Sequence, residues 1–110
     1  MPAPQNDVLR GTLELLILKT VTLEPMHGWG ISQRIQQFSA GVLDVNQGSL
    51  YPALQRMLAK GWVTAEWVPA GPKRRARVYH LTTAGRKQMA SEVSEFTRVV
   101  EAIVRVIEPA

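Results

Sequence analysis

The fifteen residues from Asn46 to Lys60, NQGSLYPALQRMLAK, constrain this chain more than any other stretch. Leu50, Leu54, Met57 and Leu58 recur at helical spacing and form one apolar stripe that must face a core. Ser49, Pro52, Ala53, Arg56 and Lys60 fall on the opposite side, a face that is small, polar and basic at its end. Gly61 stops the helix, because glycine takes the left-handed conformation of a C-terminal cap at little cost. Asn46 and Ser49 can both cap the start. Pro52, which has no N–H, is tolerable only near that start, so the helix is expected to begin between Gln47 and Ser49.

The sequence after this helix gives it a context. Trp62–Val68 and Val78–Leu81 read as strands, with Val63, Ala65 and Trp67 on one face and Trp62, Thr64, Glu66 and Val68 on the other. Between them runs the turn-rich basic loop PAGPKRRA. Helix, strand, basic loop, strand is the order of a winged helix-turn-helix, in which the helix enters a DNA major groove and the loop reaches the flanking backbone. A surface helix beside an ordinary hairpin is the plainer alternative. Charge placement favours the former. From Arg56 to Lys87 there are eight basic residues and one acid, Glu66, a balance of +7; the remainder holds five basic and eight acidic residues, or −3. The net +4 therefore belongs to one segment, as expected of a face that binds a polyanion.

Composition excludes several classes. At 110 residues and 45% hydrophobic content, the chain is a single unit able to bury a core. It has no cysteine, so neither a disulfide framework nor a thiolate metal site is available. Glu14 and Lys19 interrupt the longest apolar run, and nothing approaches the ~20 apolar residues of a membrane span. The opening MPAPQND lacks the basic and apolar parts of an export signal, so a cytoplasmic protein without a membrane partner is expected. His27 and His80 are the only histidines and have no companion ligands, so no metal is expected; His27 reads as a turn residue and His80 as a strand residue. No glycine-rich phosphate loop and no Ser, His and Asp grouping is present. Neither a cofactor nor an enzyme activity is expected.

In chain order, Met1–Asp7 reads as a loosely docked arm and Val8–Leu23 as a helix. Its leucines, isoleucine and valine occupy more than one stripe, so it is buried on two faces. One face serves its own core; the other, with Leu9, Leu13 and Leu16, fits either a partner subunit or a deeply central position. Glu24, Pro25 and Met26 break the helix, and His27, Gly28 and Gly30 make a turn. A second helix spans Trp29–Ser39, with Trp29, Ile31, Ile35 and Phe38 inward and Gly41 ending it. Val42–Val45 is an extended link or a minor strand. Thr82 or Thr83 caps a last helix that runs to about Ile107 and stops at Pro109. Met89, Val93, Phe96, Val100, Ile103 and Ile107 alternate by four and three, a heptad seam. Such a helix pairs with a second copy, folds back on the first helix of its own chain, or does both. The expected fold is mostly α with a small β-hairpin. Residues 1–82 form a winged helix-turn-helix and 83–110 a C-terminal dimerisation helix, in one compact unit.

The segments LYPALQRMLAKGWV and RARVYHLTTAGRKQ, with RGTLELLILKTV and HGWGISQRI upstream, resemble the PadR family of bacterial transcriptional regulators. The match runs from Leu9 to about Met89, and its four motifs agree in order and spacing. The single C-terminal helix looks like the compact subfamily. The resemblance implies a winged-helix homodimer joined mainly through the C-terminal helix. It also implies binding to double-stranded DNA at inverted-repeat operators, usually repression, and often release by a small aromatic or lipophilic effector. On this sequence it places Gln47, Ser49, Tyr51 and Pro52 where the third helix opens towards DNA, and Arg74, Arg75 and Arg77 in the wing. Lys73 and Arg56 join them on charge and position. Tyr51 either contacts a phosphate or packs against the wing. Tyr79, Leu81, Thr82 and Gly85 match structurally. Phe96, Trp29 and the seam would line a ligand pore or an ordinary apolar interface. A winged-helix module that binds a protein and little DNA is the competing reading.

Overall fold

The computed structural model describes residues 7–108, with side chains from Thr12 onward. The expectations for Met1–Asn6 and for a stop at Pro109 fall outside the described residues. The chain is mostly helical, with one small antiparallel sheet, as the sequence implies. In order it forms α1 (Asp7–Leu23), β1 (Met26–His27), α2 (Gly28–Phe38), α3 (Gln47–Ala59), β2 (Val63–Pro69), β3 (Arg75–Leu81) and α4 (Thr83–Ile107). Asp7, expected in the arm, is already helical. β2 and β3 pair from Val63↔Leu81 to Pro69↔Arg75, and β1 adds to the far edge of β3 through Met26↔Tyr79 and His27↔Val78.

β1 replaces the expected turn at His27. The residue before Pro25 is biased away from helix, the chain leaves α1 extended, and the free edge of β3 supplies hydrogen-bonding partners. A two-residue strand is too short to show any alternation. Val42–Val45, by contrast, is a bend and an irregular link, not a strand.

The core lies where α1, α2 and α3 meet over the sheet. Leu13, Ile17, Leu18, Val21, Ile31, Ile35, Val45, Leu50, Leu54, Met57, Val63 and Tyr79 are all buried in it. α1 contributes Leu13, Ile17, Leu18 and Val21 to it, while Leu15 and Leu16 are half-buried and Leu23 is exposed. In α3 the buried face is Leu50, Ala53, Leu54 and Met57, which corrects the placement of Ala53 on the open side: it lies three residues from Leu50 and four from Met57. In α2 the buried face is Gly28, Ile31, Ser32 and Ile35. Trp29 is 60% exposed and Phe38 64% exposed, against the inward positions expected for both. Two residues along a helix turn about 200°, so Trp29 points away from Ile31. Phe38 sits on the last turn, beyond the core's reach, with the Arg34 guanidinium 5.4 Å over its ring.

Caps fix the helix ends. Asn46 Oδ1 accepts from Ser49 N–H at 2.8 Å, and Thr82 Oγ1 accepts from Gly85 N–H at 2.9 Å, so Thr82 and not Thr83 caps α4. The α3 end is a Schellman turn: Trp62 N–H donates to Met57 O and Gly61 N–H to Leu58 O, with Gly61 at φ +75°. α2 ends the same way, but with Ala40 and not Gly41 in the first left-handed position, at φ +52°. α3 begins at Gln47, within the expected range, which makes Pro52 its sixth residue, so α3 forgoes the bond to the Gly48 carbonyl.

The start of α4 lies antiparallel to α1, joined by a Thr22 hydroxyl that donates to Met89 Sδ at 3.1 Å. Farther along, Val93, Phe96, Val100, Ile103 and Ile107 are exposed.

Candidate nucleic-acid interface

α3 follows α2 through the Ala40–Val45 link, and its apolar stripe clamps it to the core. Gln47, Tyr51, Pro52, Gln55 and Arg56 are left on the open side. The Tyr51 ring lies on the first turn of α2. A Cβ at Gly28 would stand 2.8 Å from Tyr51 Cε1 and 2.9 Å from its hydroxyl, so only glycine admits the ring. Tyr51 thus packs on α2 and still presents an open edge to the wing.

Between α3 and the wing runs a groove of about 510 Å³. Tyr51 and Gln55 form one wall, Trp67, Arg75 and Arg77 the other, and His27 and Trp29 of the α2 entrance close one end. The register explains the wing wall. Trp67 opposes Arg77, and Arg75, Arg77 and Tyr79 alternate onto the same face of β3. Tyr79 is buried at the foot of the groove; burial pushes its phenol pKa up, opposed by Arg77 and aided by Tyr51, so the hydroxyl remains neutral and able to donate. At the other end His27 Nδ1 accepts from Gly30 N–H at 2.9 Å and caps α2, while its ring stacks on Trp29 at 6.4 Å.

The residues expected at the interface divide. Tyr51, Arg75 and Arg77 line the groove together. Gln47 stands exposed at the α3 entrance with Nε2 3.4 Å from Ser32 Oγ, and Ser49 is half-buried, its N–H taken by the Asn46 cap. Pro52 is exposed beside them. Lys73 and Arg74 sit exposed in the hairpin turn, outside the groove wall; Lys73 is left-handed at φ +60°. Arg56 turns towards α1, where its Nε donates to Glu14 Oε1 at 3.0 Å, with Lys60 Nζ 3.7 Å from the other oxygen. Its charge is therefore partly neutralised.

Sequence reasoning does not single out His27, Gly28, Trp29, Gln55 and Trp67 as groove residues. Gln55 follows Tyr51 by four on the helix and is within reach of periodicity. Trp29 and Trp67 are masked by the general preference of tryptophan for burial.

Among the residues expected at a dimer interface, Val93, Phe96, Val100, Ile103 and Ile107 are exposed on α4, and Met89 is partly covered by α1. Leu13, also expected there, is 5% exposed and packs in the core. Leu16 is half-buried between α1 and α2, and the Leu9 side chain lies outside the described residues. Phe96 lines a cleft with Thr12, Leu15 and Val99, whereas Trp29 lines the wing groove, so the two do not share a pore. Among the described residues no group of His, Asp and Glu is placed to hold a metal, and no helix is long and apolar enough to cross a membrane.

Comparison with known proteins finds relatives of this chain and of its fold. The model of the transcriptional regulator PadR-like family matches residues 17–91. A curated protein of Lysinibacillus sphaericus, named only protein X, is 25% identical over 99 residues, covering 90% of this chain and 91% of its own. A transcriptional regulator from Clostridium thermocellum superposes with a TM-score of 0.86 at 21% identity, over 94% of this chain and 100% of that one. Bacillus subtilis PadR, solved in complex with operator DNA, superposes with a TM-score of 0.69 at 20% identity, over 74% of this chain and 46% of that one.

Proposed function

The chain belongs to the PadR-like family of transcriptional regulators, and from that premise we propose that it is a homodimeric repressor that binds an inverted-repeat operator in double-stranded DNA. Regulators of this family are not enzymes. One observation carries the DNA reading. The exposed side of α3 and the arginine-bearing face of the wing converge on one groove, whose wing wall belongs to the segment with a charge balance of +7. A duplex seated there has α3 in its major groove and the intervening phosphates against Arg75, Arg77 and the Tyr51 hydroxyl. Gln47, at the first turn of α3, is placed to read a base edge. The exposed α4 seam supports pairing about a dyad, which sets two recognition helices about 34 Å apart, one turn of DNA. A dimer seated over a promoter represses by occlusion. The cleft of about 270 Å³ beside Phe96 suits a small aromatic or lipophilic effector.

The test is a gel shift with the DNA upstream of the protein's own gene against a random duplex, at low and physiological salt. The upstream fragment should shift at concentrations that leave the random duplex free, with affinity falling steeply as salt rises. Gln47→Ala should shrink the difference between the two duplexes by about 1–3 kcal/mol. Equal and weak binding of both duplexes at low salt would instead favour a winged-helix module that binds a protein.

A further inference from the structure

The wing carries a tryptophan that the core does not use. Trp67 is 58% exposed, five residues into a hairpin whose buried anchors are Val63 and Tyr79. Leaving an indole in water needs a reason, and its neighbours supply one. The Arg75 guanidinium carbon lies 5.5 Å from the Trp67 ring centroid and that of Arg77 lies 5.8 Å from it. Arg77 is also 6.0 Å from the Tyr79 ring, so it stands between two aromatic faces. Cross-strand pairing fixes this arrangement, with Trp67 directly opposite Arg77 and Arg75 one diagonal step away.

Charge completes the argument. Glu66, the only acid of the basic segment, alternates onto the opposite face of the hairpin, where its Oε1 is 2.9 Å from His80 Nε2. No salt bridge among the described residues involves Arg75 or Arg77. A carboxylate would hold an arginine in place but neutralise it. An aromatic face holds it by its quadrupole and leaves the full charge for an incoming anion. A free arginine side chain carries rotamer entropy, part of which is lost when it grips a phosphate. A ring that restrains the guanidinium beforehand reduces that loss.

We infer that Trp67 is a positioning residue for DNA binding: it holds Arg75 and Arg77 in the wing groove, aimed at duplex phosphates, and contributes to affinity through those two arginines. This rests on the DNA-binding reading above.

The experiment uses the full chain as wild type, Trp67→Leu, Trp67→Phe, Arg75→Ala/Arg77→Ala and the triple variant with Trp67→Leu. Duplex affinity is measured by fluorescence anisotropy over a salt series, with thermal melts to confirm folding. Trp67→Leu should weaken binding about five- to tenfold, with an unchanged salt slope because the same phosphates are neutralised. Trp67→Phe should recover most of the loss. In the background lacking both arginines, Trp67→Leu should have no further effect. An equal loss in that background would mean that the ring touches DNA itself, and no loss in either would mean that it does nothing; both overturn the inference. Proton–nitrogen NMR of the arginine Nε–H groups gives an arm that needs no DNA. The Arg75 and Arg77 signals should be displaced upfield by the indole ring current and return towards free arginine in Trp67→Leu. Signals already at the free position in wild type overturn the inference. Displaced signals in a protein that binds no duplex would overturn the DNA-binding reading, and the role of Trp67 with it, while leaving the ring–arginine contact established.

Discussion

Ala40 holds φ at +52°, directly after the C-terminal cap of α2, where its N–H donates to Gln37 O at 3.1 Å. A side chain in this left-handed region costs roughly 1–2 kcal/mol. Ala40 is exposed at the surface end of α2, so Ala40→Gly removes the strain with little effect on the packing. It should stabilise the protein by about 1 kcal/mol, the remainder being offset by a looser unfolded chain. Gly85 is the reverse case. Alanine within a helix ordinarily gains about 1 kcal/mol over glycine. Here a Cβ would run into the Trp62 carbonyl and stand 2.7 Å from Leu81 Cδ1. The collision is with backbone, which cannot swing aside, and overpacking of this kind costs about 1–3 kcal/mol. Gly85→Ala should therefore destabilise by up to about 2 kcal/mol, despite its better helix propensity. Urea unfolding of both variants checks the pair; a destabilised Ala40→Gly or a stabilised Gly85→Ala would contradict these assignments.

At the scale of elements, the wing separates into two parts. Arg75 and Arg77 rise from paired strand residues against aromatic rings, whereas Lys73 and Arg74 occupy an exposed turn. Arg74→Ala/Arg75→Ala should lower affinity for specific and random duplexes together and flatten the salt slope by roughly one to two units, one for each phosphate left unneutralised. An unaltered slope would remove the wing from the interface. The helices and the hairpin are legible in the sequence because each has a strong period: Leu50, Leu54 and Met57 in α3, Val63 and Ala65 in β2. The groove is legible only in part. Arg75 and Arg77 announce themselves by charge, but their ring partners depend on strand register, which alternation alone does not set. Likewise β1 exists only because β3 offers an edge, and Arg56 is drawn aside by Glu14, forty-two positions away in the chain. Such long-range pairings leave no local pattern.

The whole molecule measures 60 × 37 × 22 Å, and much of its length is α4, whose 25 residues span about 37 Å. The far end carries Ile103, Val104, Val106 and Ile107, all exposed, on a helix that would be marginal by itself in water. Replacing Phe96 and Ile103 by Asp should convert a dimer, measured by sedimentation, into a monomer or an unfolded chain, and operator binding should fall with it. A wild type that sediments as a monomer at micromolar concentration would remove the dimer from the proposal. Thr82 also acts at this scale. Its hydroxyl is shared between the Gly61 and Trp62 carbonyls, at 2.7 and 3.0 Å, while its oxygen caps α4. Thr82 thereby ties together the end of the α3 cap, the end of the wing and the start of α4. Under the proposed dimer, the separation of the two DNA-reading faces is stored as rotational phase along one helix. Each residue inserted beyond Gly85 would turn the seam by about 100° relative to the wing, and only insertions close to whole turns would bring the two faces back into step with the double helix.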